Sequence, residues 1–313
     1  MTAAAPLSAT RGNRFGIGFF RLLLRCGGFR LSLWCSRIVT WFYARFDRRA
    51  FAATEGYLKL RFPADAASPR RLRRHFHRLL EELAKMLIVA YRSGIGREFP
   101  LVEESPENLP ATGGAVVVLS HCDCWQAAME LMNRKTGRPI NIMARPDANG
   151  NMDKYLALRD KSGFRVISTE GFSGGLVEAS AALARGEAVI VMGDRPVPGA
   201  ASIRLPFFGG EIAVPLSPWM LAARNEVPAV PVFAELLEKP WRIVIRFRPA
   251  ITFEPAAGRV RAADLLPGAA RYVRELEDFA RRRPYRVFRF GGEPNPAEHE
   301  TESEPNLNTG EAT

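Results

Sequence analysis

Four consecutive apolar residues leading to a histidine constrain this chain more than any other feature in it: Val116-Val117-Val118-Leu119-Ser120-His121. A short β-branched run of this kind reads as a strand buried on both faces. After it, Trp125, Ala128, Met129 and Met132 recur at helical spacing. A buried strand that hands over to a helix opens a β-α unit, and open α/β sheets bind ligands at the carboxyl ends of their strands. His121 is therefore either a functional group on that rim or a residue that satisfies a turn. The local pattern alone leaves both open.

The same alternation continues downstream. Residues 115–119, 140–144, 165–168, 188–192, 229–234 and 242–247 read as strands. Helices are predicted after Cys124, up to about Lys161, and over 176–185, 219–225 and 262–283. This pattern predicts an α/β fold, a mixed central sheet flanked by helices, over residues 99–292. At 313 residues and 47% hydrophobic content the chain can bury one large core with an appendage. Residues 1–12 are small and polar, and 293–313 carry six Glu with no Lys or Arg. Both ends are expected to be disordered, the second as an acidic tail.

Residues 13–98 are predicted to be helical. From Phe15 to Phe46 aromatic and aliphatic residues are interrupted by Arg21, Arg25, Arg30, Arg37 and Arg45. The interruptions are too frequent for the uncharged run of about 18 residues that a membrane span requires. Small residues of a secretory cleavage site are also missing. Arginines among Trp and Phe suit a helix lying in a membrane interface with its cations on anionic headgroups, a tilted or re-entrant insertion being the variant of this reading. A basic helical hairpin packed on the domain is the alternative. A second helix over 69–92 has Leu72, Phe76, Leu79, Leu80, Leu83, Met86 and Leu87 on one face, with Arg70, Arg71, Arg73, Arg74 and Arg78 in its first half. Cations there oppose the macrodipole, so they either answer to groups outside the helix, such as phosphates, or form a solvated basic face.

The net charge of +11 admits nucleic acid, an anionic surface or acidic substrates as partners. No aromatic-basic strand motif of the RNA-binding kind is present, so nucleic acid is not expected. Four scattered cysteines suit a reducing compartment. Cys122-x-Cys124 lies beside His121, but zinc sites use wider spacing and further ligands, so no metal is expected.

Three predicted strand ends bring polar groups to one rim: Ser120-His121, Arg145-Pro146-Asp147 and Gly193-Asp194-Arg195. His121 is the one histidine of the α/β region; His75 and His77 lie in the basic helix and His299 in the tail. It is the candidate general base. Arg145 and Arg195 suit a phosphate or carboxylate, and with Ser120 and Asp194 they form the candidate substrate-binding set. Residues 193–215 read as a Pro/Gly-punctuated loop that lines a channel or packs as an ordinary loop.

In order along the chain stand Ser120-His121-x-x-x-Trp125-Gln126, Gly193-Asp194-Arg195-Pro196-Val197, Leu205-Pro206-Phe207-Phe208-Gly209-Gly210, Ala213-Val214-Pro215 and Pro228-x-x-Pro231-Val232-Phe233. This set resembles the lysophospholipid acyltransferase superfamily, in its lipid A lauroyl/myristoyl acyltransferase-like branch, over roughly residues 15–284. The resemblance implies a membrane enzyme at the cytoplasmic face of the inner membrane. It would move a fatty acyl group from an acyl carrier protein or coenzyme A thioester to a lipid or glycolipid, with no cofactor beyond that co-substrate. It also implies that His121, in an H-x-x-x-x-D/E motif, is the base, and that Arg145 and Arg195 hold acceptor phosphate or polarise the thioester.

The chain departs from the motif where the acid belongs. Five residues after His121 stands Gln126, which can orient an imidazole but cannot neutralise it. An amide in place of the triad carboxylate of a serine protease lowers the rate by about 10⁴. Three readings follow: Gln126 suffices, Asp123 stands in, or the protein is a weak or inactive relative that binds acyl groups or lipid.

Overall fold

The computed structural model describes residues 14–129, 139–144, 164–170, 174–196, 200–254 and 260–289. In chain order the strands are β1 (Leu101–Glu104), β2 (Ala115–Leu119), β3 (Ile140–Ala144), β4 (Phe164–Ser168), β5 (Ala188–Met192), β6 (Ser202–Phe207), β7 (Gly210–Pro215), β8 (Ala229–Glu238) and β9 (Trp241–Phe247). Among the described residues seven of them form one sheet, ordered β1-β9-β8-β2-β5-β3-β4, and β6-β7 is a separate antiparallel hairpin. Within the sheet only β8-β9 is antiparallel. The α/β expectation therefore holds as a mixed sheet flanked by helices.

The strand bounds follow burial. β2 and β5 are central and parallel, and every residue of β2 is buried, which is why both read as unbroken apolar runs rather than alternating ones. Pro231 lies inside β8, where a proline normally breaks a ladder. It stands where β8 changes neighbours: residues 229–231 pair with β2, and the pairing with β9 begins at Val232. The expected loop over residues 193–215 is corrected in its second half, where β6 and β7 form the hairpin. Leu205, Phe207, Ile212 and Val214 turn its apolar side into the core.

Helices cover the rest: α1 (Arg14–Cys26), α2 (Gly28–Phe46), α3 (Arg48–Arg61), α4 (Pro69–Gly94), α5 (Leu176–Ala184), α6 (Ser217–Arg224) and α7 (Ala262–Arg282). α4 starts with Pro69 in its first turn, where a missing N–H costs nothing. It buries Leu72, Phe76, Leu79, Met86 and Val89, whereas Leu87, expected on that face, is exposed. Three of its arginines answer to protein groups outside the helix. Arg71 bonds Asp65 at 2.9 Å, Arg73 donates to the Ala44 carbonyl at the end of α2, and the Arg78 guanidinium lies over the Tyr285 ring.

α2 is packed inside out. Ser32, Ser36, Thr40 and Ala44, one per turn, form its buried face, and the helix packs against α4. Each of the three hydroxyls donates to a carbonyl of its own helix, at 3.0, 2.8 and 3.1 Å, so the buried oxygens are satisfied locally. The large side chains go outward: Trp34 and Trp41 are each 59% exposed, Ile38 58% and Phe42 55%. Among the described residues no helix is long and apolar enough to cross a membrane.

Candidate active site

Parallel register builds the site. Leu119 at the end of β2 is paired with Met192 at the end of β5. The Gly193 amide donates to the Leu119 carbonyl at 2.8 Å, so the two chains leave the sheet side by side. Two residues beyond each paired end stand His121 and Asp194. Gly193 is glycine for room: a Cβ there would lie 2.5 Å from Val118 Cγ1 and 3.0 Å from the Tyr272 ring.

His121 Nδ1 lies 2.9 Å from Asp194 Oδ1. The Asp194 side chain has no exposed surface, while that of His121 is 25% exposed. Burial alone would raise the Asp194 carboxyl, but the charges of His121, Arg195 and Arg289 outweigh it and hold the group well below the usual carboxylate range. An ionised carboxylate can only accept, so Nδ1 carries a proton, and in the neutral imidazole the lone pair is then on Nε2. Trp125 meets the imidazole edge to face, with centroids 5.7 Å apart. The Arg195 guanidinium lies 4.0 Å from Asp194 Oδ2, with about a quarter of its side chain exposed.

The other expected site residues fall elsewhere. Asp123 does not face the ring. It has a left-handed backbone at φ 45°, is fully buried, accepts from the Leu236 amide at 3.1 Å and pairs with Arg286 at 2.9 Å. Burial pushes its carboxyl up, to about 6, with Arg286 pulling the other way. Gln126 sits half-buried on the helical residues 125–129, and His121 takes Asp194, not Gln126, as its hydrogen-bond partner. Ser120 is buried and shares a 2.7 Å hydrogen bond with Tyr272 of α7, which makes it part of the floor. Arg145 and the turn and helix expected after it lie outside the described residues. Cys122 and Cys124 are buried thiols whose burial holds them protonated, unlike metal-binding thiolates.

Sequence reasoning missed the segment that closes the site from behind. After α7, residues 286–289 run antiparallel to the His121 loop. The Phe288 amide donates to the His121 carbonyl at 2.8 Å, the Asp123 amide donates to the Arg286 carbonyl at 2.9 Å, and Cys122 bridges to Val287. Arg289, 4% exposed, donates to the backbone carbonyl of Asp194, and its other terminal nitrogen reaches the Ala213 carbonyl of β7 at 3.3 Å. Arg286 bonds Glu82, Glu238 and the Leu236 carbonyl as well as Asp123. Within the Arg- and aromatic-rich run 281–290 nothing local separates these two buried arginines from exposed ones.

A strand-end histidine oriented by a buried carboxylate is a base for activating a hydroxyl or amine, and many chemistries use one. The comparison that narrows the choice is with protein families. The model of the bacterial lipid A biosynthesis acyltransferases matches residues 9–288. The chain belongs to this family. As a lipid A biosynthesis acyltransferase family member it is a transferase, and its class of reaction is acyl transfer to a lipid acceptor. No curated protein sequence matches it as a relative. Among solved structures, it is similar to the 1-acyl-sn-glycerophosphate acyltransferase PlsC from Thermotoga maritima at 16% identity. That match covers 79% of this chain and 97% of the other at a TM-score of 0.37, too low a score to add to the argument.

Proposed function

We propose that this acyltransferase uses His121 as its general base and draws the acyl group from an acyl carrier protein or coenzyme A thioester. The observation that carries the reading is the 2.9 Å contact between Nδ1 of a partly exposed histidine and a wholly buried carboxylate. With Nδ1 committed to Asp194, Nε2 takes the proton of the acceptor hydroxyl as its oxygen attacks the thioester carbonyl. The tetrahedral intermediate collapses by breaking the C–S bond, and the imidazolium returns the proton to the departing thiolate. Asp194 stabilises the imidazolium between those steps. Arg195, beside the pair and partly exposed, is assigned the acceptor phosphate or the thioester carbonyl. In this reading the acid that serves the ring is the carboxylate of Asp194, reaching it from the end of the neighbouring strand, and Gln126 is not required as its substitute.

The enzyme is proposed to work at a membrane surface, the anionic cytoplasmic leaflet, without α1 and α2 spanning it. The support is the outward face of α2, where Trp34, Ile38, Trp41 and Phe42 alternate with the exposed Arg30, Arg37 and Arg45. A surface recess of about 420 Å³ lined by Phe42, Tyr43, Phe46, Asp47, Arg48 and Arg49 continues that face.

The test uses the full chain with lauroyl and myristoyl thioesters of acyl carrier protein and of coenzyme A. A lipid A precursor and lysophosphatidic acid serve as acceptors, with product read by mass spectrometry. Turnover that disappears in His121→Ala supports the reading, and turnover that survives it overturns the mechanism. Thioester binding without turnover in the wild type would move the protein to the binding-only class.

A further inference from the structure

We propose that Arg289 is a positioning residue of the reaction, acting through Asp194: it fixes where the carboxylate stands and balances its buried charge. This rests on the reading of His121 as base.

The geometry is that of a bracket. One guanidinium donates to the backbone carbonyl of Asp194, just past β5, and to Ala213 in β7, joining the sheet's carboxyl rim to the hairpin packed beside it. The same short segment holds the His121 carbonyl through the Phe288 amide. Both members of the pair are thus fastened to residues 288 and 289, and a shift of that segment would move the two together or pull them apart. Five guanidinium N–H groups in one plane can span two carbonyls, whereas a lysine ammonium reaches them only as a point charge.

The charge matters as much as the bonds. The Asp194 side chain is fully buried, one oxygen on His121 and the other with no hydrogen-bond donor among the described residues. The groups that face the pair come from several elements. Arg195 follows Asp194 itself, Arg289 lies on the C-terminal segment, Cys122 on the His121 loop and Tyr272 on α7, while Tyr57 of α3 stands next to Arg289 and Cys122. The thiol and both phenols are held protonated by burial, so Arg195 and Arg289 are the cations that balance the carboxylate. A cation near an imidazole disfavours its protonated form, and removing it raises the histidine's titration.

The experiment compares wild type, Arg289→Met and Arg289→Lys by two readouts. The first is the NMR titration of the His121 ring, identified by its absence in His121→Ala; it needs no substrate. Arg289→Met is expected to move that titration upward, and Arg289→Lys to leave it in place. The second is the steady-state rate with lauroyl-acyl carrier protein and a lipid A precursor. Both variants are expected to lose kcat, by about 10²-fold for Met and less for Lys, with KM for the thioester little changed. An unmoved titration in a folded Arg289→Met overturns the proposal, as does loss of melting temperature alone. Should the Met variant not fold, a Lys variant with wild-type kcat overturns it equally. Failure of the base assignment shows separately, as turnover that survives His121→Ala.

Discussion

Replacing Asp194 with Asn keeps the shape of the site and removes its buried charge. The magnitude follows from the geometry. The carboxylate and the imidazolium that forms in the reaction are in contact at 2.9 Å between Nδ1 and Oδ1, which puts their charge centres about 4 Å apart. At an effective dielectric near 20 that attraction is about 4 kcal/mol, or about 10³ in rate. An Asn amide can also present its N–H₂ to Nδ1 and select the wrong tautomer, the effect that brings the serine protease loss to about 10⁴. Asp194→Asn is therefore expected to lower kcat by about 10³ to 10⁴ with thioester KM nearly constant. Initial rates at saturating thioester, with circular dichroism and thermal melting as fold controls, measure it. Gln126→Ala, tested beside it, should keep most of the turnover. A loss under about tenfold in a folded Asp194→Asn, or an equal loss in Gln126→Ala, refutes the assignment of the carboxylate.

Because Asp194 stays ionised well below neutrality, the acid limb of the kcat/KM profile should report a single proton, that of His121, and should vanish with His121→Ala. The sign for stability follows from the depressed carboxyl. Its contribution is complete above the unfolded value of 3.8 and is lost as acid titrates the folded group, so wild-type melting should fall more steeply than that of Asp194→Asn towards about pH 3. Gly193→Ala drives a methyl into Val118 and Tyr272 and should cost about 1–3 kcal/mol, read as a lower urea midpoint. Asp123→Asn leaves Arg286 with Glu82 and Glu238, so its loss of stability should sit at the low end of about 3–5 kcal/mol, with turnover per folded molecule kept. Trp34→Ser with Trp41→Ser should abolish flotation with anionic liposomes while leaving the melting temperature near wild type, since both rings lie outside the core.

Much of the sheet was legible because its central strands are covered on both faces, and such strands are written as unbroken β-branched runs. β2, β3 and β5 begin and end at the residues the pattern predicts. Hairpin β6-β7 was not legible. Pro206 interrupts its pattern as a loop would, and so does the turn Phe208-Gly209, whose two residues are at positive φ. His121 was legible as a strand-end histidine, but its partner was not. The motif looks for an acid five residues on, whereas the acid that meets the ring stands 73 residues away, brought there by the pairing of β2 with β5. Register is a property of two strands together, and no window along the chain contains it. Arg286 and Arg289 escaped for a related reason. An arginine's charge suggests solvent, and only the carboxylate and carbonyls waiting in the core reverse that.

The segment that fastens the His121 loop has a consequence for assembly. Asp123 and Arg286 are 163 residues apart in the chain, and between them lie five of the seven strands of the sheet. Contacts of such long range form after the local ones, since the entropy of closing the loop must be met first. A polypeptide cut short before Arg286 can still contain every strand of the sheet together with His121 and Asp194. It would keep the register of β2 and β5 but lack the segment that fastens the His121 loop and the Asp194 backbone, so a truncated product is expected to carry the pair without its bracket.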